Sequence, residues 1–220
     1  RRRQLLDVAL HAFAEHGYHD TSMNDVAEAA GVTKPVLYQH FASKKALYQE
    51  LVDDLGAGLE GAIVAAVAEA DGPRQQVEAG FRAYFRWAIN QGAAFRVLFA
   101  DRNRTDRELA AAVAKVESMV ADRVASLILV DGPSDDERHV LAFGVVGLAE
   151  STSRHWLRLG LGPGADADEF ADTVAQLAWS GLRGVNRSGL EYAEPRDVGF
   201  LNSVNLTEAE IGEIVTGWNA

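Results

Sequence analysis

Apolar residues recur at intervals of three and four along most of the chain, which is the spacing of one face of an α-helix. No stretch alternates apolar and polar residues for long enough to form a sheet, so an all-α fold is predicted. Residues 189–220 are predicted to be irregular except for a short helix that Thr207 would cap. The spacing predicts two short helices between residues 22 and 41 and further helices over 1–16, 44–70, 74–91, 95–100, 106–130, 135–159 and 168–188.

The pair of short helices, at residues 22–41, has recognisable start and stop signals. Ser22 is a typical N-cap for the first helix, and Gly31 ends it where left-handed backbone is usual. Thr33 can cap the second helix, and Pro35 lies in its first turn, where a missing N–H is tolerated. Two helices joined by a short glycine-containing turn form a helix-turn-helix, and its second helix is sized for the DNA major groove.

The second helix of the pair has one apolar side and one polar side. Leu37 and Phe41 share a face and are expected to point inward. Between Thr33 and Lys45 there is no Asp or Glu, and the remaining side chains are basic, aromatic or hydrogen-bonding. Such a surface suits the phosphates and base edges of a duplex.

This stretch resembles the DNA-binding region of the tetracycline-repressor (TetR) family. Pro35 departs from the family pattern, which often has Gly or Ala there, although T-K-P-V-L-Y-x-H-F is a familiar variant. The motif covers roughly the first fifth of the chain, and beyond it the resemblance rests on length and helical pattern. The residues that carry it are Thr21, Val26-Ala27, Ala30-Gly31-Val32-Thr33, Tyr38-Gln39-His40-Phe41 and Lys44.

The resemblance implies a cytoplasmic transcriptional regulator with a DNA-binding domain at residues 1–46 and a ligand-binding and dimerisation domain at 47–220. We expect a ligand-responsive repressor that binds a palindromic operator as a homodimer and is released by a small, largely apolar effector. Segments resembling F-R-V-L-F occur in family members that sense fatty acyl-CoA, so a fatty acyl compound is expected. The resemblance implies neither a cofactor nor a metal.

The helix from Thr33 supplies most of the expected DNA contacts. Lys34 and Gln39 can pair with purine acceptors, and Val36 can contact a thymine methyl group. Pro35 is expected to face base edges with them, whereas Tyr38, His40, Lys44 and the Thr33 hydroxyl are expected to hold phosphates. The alternative for Tyr38 and His40 is that they pack on the surface of the module. The full set expected at DNA is Ser22, Thr33, Lys34, Pro35, Val36, Tyr38, Gln39, His40 and Lys44.

A ligand pocket is expected within residues 74–188, lined by aromatic side chains, although aromatics at helical spacing more often belong to a core. Arg82, Arg86, Arg96 and Arg102 are candidates either for binding an acidic headgroup or for solvent exposure. The expected ligand-binding set is Phe81, Tyr84, Phe85, Phe95, Phe99, Met119 and Trp156.

The helices at 135–159 and 168–188 mix small residues with Val and Leu. TetR-like proteins dimerise through their last two long helices, and two such helices from each of two chains make a four-helix interface. The alternative is that both helices are buried within one chain. The small residues are Gly144, Gly147, Ala149, Ala171, Ala175, Ala178 and Gly181.

The distribution of charge supports DNA binding better than the net charge of −11 does. Residues 1–50 hold six Lys/Arg and six Asp/Glu, whereas the rest of the chain holds 15 and 26. An acidic body would orient the neutral end toward DNA, although acidity also aids solubility. The absence of cysteine excludes disulfides, thiolate catalysis and cysteine-based zinc sites. No apolar run approaches the length of a membrane span, so no membrane partner is expected.

The alternatives are an all-α enzyme and a helical protein-interaction module without DNA binding. The sequence has no Glu-x-x-His pair, no His-Glu-x-x-His, no phosphate-binding glycine motif and no G-x-S-x-G. Asp136 and His139 are more typical of a charged first turn than of a catalytic pair. An interaction module accounts for a dimer face but not for the carboxylate-free surface of residues 33–45.

Overall fold

The computed structural model describes residues 1–99, 107–128, 133–159 and 167–185. These residues form nine α-helices and no strand, which confirms the predicted all-α class. All nine belong to one compact unit, Arg1–Asn186. The helices are α1 (Arg2–His16), α2 (Met23–Ala29), α3 (Lys34–His40), α4 (Lys44–Ala68), α5 (Pro73–Asn90), α6 (Gly92–Phe99), α7 (Arg107–Leu127), α8 (Asp135–Arg158) and α9 (Ala167–Val185).

The first three helices enclose a small apolar core. Leu5 and Phe13 of α1, Val26 of α2 and Leu37 of α3 are all buried. Gly31 has a φ of +63°, a left-handed conformation that a residue with a side chain rarely adopts. This glycine turns the chain from α2 directly into α3, as the sequence predicted.

The long helix α4 belongs to both ends of the molecule. It packs against α1 and α6 as well as against α5 and α7. Near its start, the Tyr48 hydroxyl donates a hydrogen bond to the Val97 carbonyl oxygen of α6, at 3.2 Å. Near its end, Ile63 and Val67 are buried among the other helices. One continuous rod therefore connects the N-terminal helices with the larger helical body.

Two arginine–aspartate pairs join α5 to α9. Arg82 Nε donates to Asp172 Oδ1 at 2.6 Å, and Arg86 Nε donates to Asp168 Oδ1 at 2.7 Å. The Arg86 guanidinium lowers the pKa of the Asp168 carboxyl below its ordinary value. Both arginines, which the sequence left open to a ligand headgroup or solvent, are thus partnered within the chain.

One difference from the sequence prediction concerns the start of α6, which was predicted at residue 95. Gly92 begins α6 instead of interrupting the chain, because Gln91 closes α5 and its carbonyl oxygen accepts the Phe95 N–H at 2.9 Å. A glycine in the first turn of a helix disturbs little when the residues that follow are buried. Arg102 and the short helix predicted from Thr207 lie outside the described residues.

His139 links α7 to α8. Its Nδ1 lies 2.9 Å from the Asp135 carbonyl oxygen of its own helix, and its Nε2 lies 3.2 Å from Asp122 Oδ1 of α7. The hydrogen bond to that carbonyl and, after it, the Asp122 carboxylate raise the pKa of His139 above its ordinary value. The imidazolium is therefore more stable in the folded protein than in the unfolded chain.

Replacement of His139 by Gln is expected to remove a stabilising term that depends on pH. A raised pKa contributes stability below the unfolded value of about 6.5 and loses it as pH rises through the folded value. The melting temperature of the wild type should therefore exceed that of the variant at pH 5.5 and match it at pH 8.5. Thermal denaturation at both pH values, in low and high salt, measures this, and an equal difference at both would contradict it.

Candidate nucleic-acid interface and ligand cavity

The second helix of the helix-turn-helix, α3, has one face in the core and one in solvent. Leu37 is fully buried, and Phe41, directly after the helix, is also buried. Lys34 and Gln39 are exposed, and 43% of the Tyr38 surface is exposed despite its apolar ring. The carboxylate-free side therefore faces outward, which is the orientation that contact with a duplex requires.

The remaining residues of the expected DNA set differ in exposure and in their contacts within the chain. Thr33 is the N-cap of α3 and makes no side-chain capping hydrogen bond, and both it and Pro35 are exposed. Val36 and His40 are half-buried at the edges of the face. Ser22 caps α2 in a capping box, in which its Oγ accepts the Asp25 N–H at 3.2 Å.

Arg2 anchors the end of α3 to the two neighbouring helices. Its Nη1 donates to the His40 carbonyl oxygen at 2.7 Å, and its guanidinium carbon lies 4.5 Å from the centre of the Phe41 ring. Its Nε donates to Glu50 Oε1 of α4 at 2.6 Å. Arg3 likewise pairs with Asp54 of α4 at 2.6 Å. Two of the three consecutive arginines at residues 1–3 are therefore engaged within the chain.

Lys44, which was expected to hold a phosphate, contacts backbone carbonyl groups of the chain in this structure. Its Nζ donates to the carbonyl oxygens of Tyr18, His19 and Thr21 at 2.8, 3.3 and 3.0 Å, and it lies 4.4 Å from the centre of the Tyr18 ring. An ammonium group has three N–H donors, and all three point to the turn between α1 and α2. Lys44 therefore fixes that turn to the start of α4.

An apolar cavity of about 320 Å³ lies among α4, α5, α7, α8 and α9. Its wall is mostly aliphatic, and among the described residues that line it Arg183 alone carries a charge. The lining residues are Ile63, Val67, Pro73, Gln76, Val77, Gly80, Phe81, Tyr84, Val120, Val124, Leu127, Ile128, Val145, Val146, Ala149, Trp179, Leu182 and Arg183.

The structure divides the expected ligand-binding residues between the cavity and the core. Phe81 and Tyr84 line the cavity, and burial raises the pKa of the Tyr84 hydroxyl. Met119 faces a shallow polar groove on the other side of α7. The other four expected residues, Phe85, Phe95, Phe99 and Trp156, fill the space between helices and do not line this cavity.

Packing explains why those aromatics are core residues. The Phe85 and Trp156 rings meet edge to face with centroids 5.9 Å apart, and Trp156 stacks on Phe170 at 5.1 Å. The aliphatic lining, including Val120 and Val124, was not singled out from the sequence. It has the same 3.6-residue periodicity as a filled core, so periodicity alone offers no signal for the cavity.

An exposed apolar strip runs along α8 and α9. Val140, Phe143 and Leu177 are 72%, 45% and 62% exposed. Open space surrounds the glycines of the same two helices that were expected at a dimer interface, Gly144, Gly147 and Gly181. The alanines proposed with them pack inside the chain instead, and these are Ala149, Ala171, Ala175 and Ala178.

The part of the chain that the structure describes does not bring three His, Asp or Glu residues together as ligands for a metal ion. Among the same residues, no helix has both the length and the apolar character that crossing a bilayer requires.

Residues 5–51, from α1 into α4, match the family model described as bacterial regulatory proteins, tetR family. The HTH-type transcriptional activator FasR of Mycolicibacterium smegmatis is 34% identical over 187 residues, which are 83% of each chain.

Solved structures share the fold. FadR from Bacillus subtilis, crystallised with stearoyl-CoA, superposes with a TM-score of 0.70 at 16% identity, over 82% of this chain and 99% of that one. AibR, in complex with isovaleryl coenzyme A and operator DNA, superposes with a TM-score of 0.62 at 18% identity. The superposition covers 80% of this chain and 96% of the AibR chain.

Two comparisons and one structural feature agree. The family model matches the helix-turn-helix, a relative is 34% identical over most of both chains, and the carboxylate-free face of α3 is exposed. This protein belongs to the TetR family of bacterial transcriptional regulators, which bind DNA and are not enzymes.

Proposed function

We propose that this protein is a ligand-responsive regulator that binds a palindromic operator in the cytoplasm as a homodimer and releases it when a fatty acyl effector fills the cavity. The observation that carries the proposal is the course of α4. Ile63 and Val67 of this helix line the cavity, and the same helix runs without interruption to Lys44, which holds the helix-turn-helix module.

The exposed face of α3 supports the DNA arm of the proposal. Lys34 and Gln39 have the donor groups that read purine edges in the major groove, and Tyr38 and Thr33 have hydroxyls for phosphates. Arg2 binds the C-terminal end of α3, so the exposed face of this helix does not depend on DNA for its position. A rigid, outward helix meets the geometric requirement of a recognition helix.

The cavity wall supports an effector with a long apolar part. Aliphatic side chains from five helices offer a hydrocarbon chain a dry environment, while Gln76 and Arg183 supply polar groups for a headgroup. FadR from Bacillus subtilis was crystallised with stearoyl-CoA and AibR with isovaleryl coenzyme A. A fatty acyl-CoA is therefore the effector class that we propose.

The strip on α8 and α9 supports a homodimer. Val140, Phe143 and Leu177 would leave water on association, and the adjacent glycines would let two helix pairs approach closely. A two-fold axis through this strip would present two copies of α3 to two half-sites.

Release from DNA follows from linkage. An effector shifts the protein toward the DNA-free form only by the difference between its affinities for the two forms. We propose repression by operator occupancy. FasR is named an activator, and the same release lowers or raises transcription according to where the operator lies relative to the promoter.

Replacement of Gln39 by Ala is expected to weaken binding to the preferred duplex by about 1–3 kcal/mol and to relax the preference at one base pair of each half-site. Tyr38→Phe removes a phosphate contact and should weaken binding without changing the preferred sequence. Selection from random duplexes followed by fluorescence anisotropy measures both. Gln75→Ala, which changes an exposed glutamine of α5, is the matched control and should change neither.

Replacement of Val124 by Phe is expected to narrow the cavity and weaken stearoyl-CoA binding by about tenfold or more, while operator binding remains. Met119→Phe adds a ring to the same helix α7 in the shallow polar groove and is the matched control. Calorimetric titration with stearoyl-CoA and with stearate shows whether the thioester or the free acid is preferred. Equal losses in both variants would place the ligand elsewhere.

Replacement of Phe143 by Glu is expected to give a monomer, because it buries an unpaired charge at the two-fold interface. Operator affinity should then fall by about a hundredfold, because the two half-sites are no longer held together. Sedimentation velocity and operator titration test this. Ser126→Glu adds the same charge to an exposed position of α7 and should leave a dimer with unchanged affinity.

A further inference from the structure

The helix α4 crosses α7 at a position where only glycine fits. A Cβ atom placed on Gly56 would lie 2.7 Å from Val116 Cγ2, 2.9 Å from Val116 Cγ1 and 3.3 Å from Val116 Cβ. Carbon atoms in favourable contact are about 3.5–4.0 Å apart. A methyl group at this position would therefore increase the distance between the two helices by roughly 1 Å.

Rotation of the valine side chain does not relieve this contact. Val116 is 2% exposed, and its branched Cβ restricts χ1 to one strongly preferred rotamer in a helix. Because both methyl groups and the Cβ atom itself face Gly56, every rotamer keeps at least one carbon too close. Lys115 adds a second tie at the same crossing, since its Nζ donates to Asp53 Oδ1 of α4 at 2.8 Å.

The crossing divides α4 into two arms. One arm extends from Gly56 to Lys44, about 18 Å away at 1.5 Å per residue, where the helix-turn-helix module is attached. The other arm extends about 16 Å to Val67, which with Ile63 lines the cavity. Val120, one turn beyond Val116 on α7, lines the same cavity.

We propose that Gly56 is the fulcrum on which α4 tilts when an effector occupies the cavity, and that the absence of a side chain there sets the balance between the DNA-binding and released forms. This inference rests on the proposed function. An effector that displaces Ile63 and Val67 would tilt the rod about its tightest contact and carry Lys44, with the attached helices, in the opposite direction. Gly56 is thus a positioning residue that touches neither DNA nor effector.

The matched control lies on the same helix. A Cβ atom at Gly61 would meet nothing within 4 Å, so Gly61→Ala raises the helix propensity of α4 as much as Gly56→Ala does but without a clash. Any effect of chain stiffness appears in both variants, whereas an effect of the crossing appears only in Gly56→Ala.

The experiment measures operator affinity without effector, and then with saturating stearoyl-CoA, for the dimeric full chain. Gly56→Ala is expected to bind the selected operator about tenfold more weakly than wild type, to bind stearoyl-CoA more tightly, and to respond to it by less than about twofold. Gly61→Ala should match wild type in operator affinity, in stearoyl-CoA affinity and in the response of operator binding to stearoyl-CoA. Equal behaviour of the two variants, with an intact wild-type response, would overturn the fulcrum and leave the proposed function standing.

A second pair of variants tests the contact from the other side. Val116→Ala removes both methyl groups that face Gly56, and in the double variant with Gly56→Ala the new methyl group takes up part of that space. The double variant should regain operator affinity and the stearoyl-CoA response to within about twofold of wild type, and should respond more strongly than Val116→Ala alone. This comparison holds even if Gly56→Ala by itself does not fold. A double variant that is no better than its parents would overturn the inference.

The arms of the experiment separate the two proposals. A wild type that binds operator but ignores stearoyl-CoA would overturn the proposed effector class, while the effector-free comparison of Gly56→Ala with Gly61→Ala still tests the fulcrum. A wild type that selects no duplex would overturn the proposed function and the fulcrum with it.

Discussion

The helix α4 buries one apolar side along its whole length, and this burial joins the N-terminal helices and the body into one structure. Its buried leucines, followed by Ile63 and Val67, recur at every fourth position from Leu47 onward. Such a stripe turns slowly around the helix, so the two ends of the rod face different neighbours. Because the helix is continuous, the helix-turn-helix cannot take up its position independently of the body.

Polar contacts within the chain place the N-terminal helices on that rod. Arg2 binds the end of α3 to α4, and Lys44 binds the turn between α1 and α2 to the start of α4. Both cations are used to build the module. The basic and hydrogen-bonding groups that remain on the outer face of α3 are therefore held in place by a framework that is complete without DNA.

Much of the fold was predictable because local signals and tertiary packing agree. The capping box at Ser22, the left-handed Gly31 and the inward Leu37 each follow from a rule that spans a few residues. The role of Lys44 did not follow, since its carbonyl partners lie 23 to 26 residues earlier in the chain. A positive charge in a sequence does not reveal whether it meets a phosphate or a backbone carbonyl.

The cavity and the exposed strip were harder to predict because each is a place where no other helix of the chain packs against the apolar side chains. Phe85 and Val124 have the same helical periodicity, yet one fills the core and the other lines an unfilled space. Ala171 and Gly144 are both small, yet one is buried within the chain and the other faces open space. Only the relative placement of helices separates these cases.

If α4 couples the cavity to DNA, the distance between the two copies of α3 must change when the effector binds. The chain has no cysteine, so Ala42→Cys, at an exposed position two residues after α3, gives one spin label per protomer. With operator bound, pulsed electron paramagnetic resonance should give a distance between the two spin labels near one turn of duplex, about 34 Å, or a small multiple of it. Stearoyl-CoA should shift that distance by several ångströms as operator is released, whereas an unchanged distance distribution in a protein that binds both ligands would contradict the account.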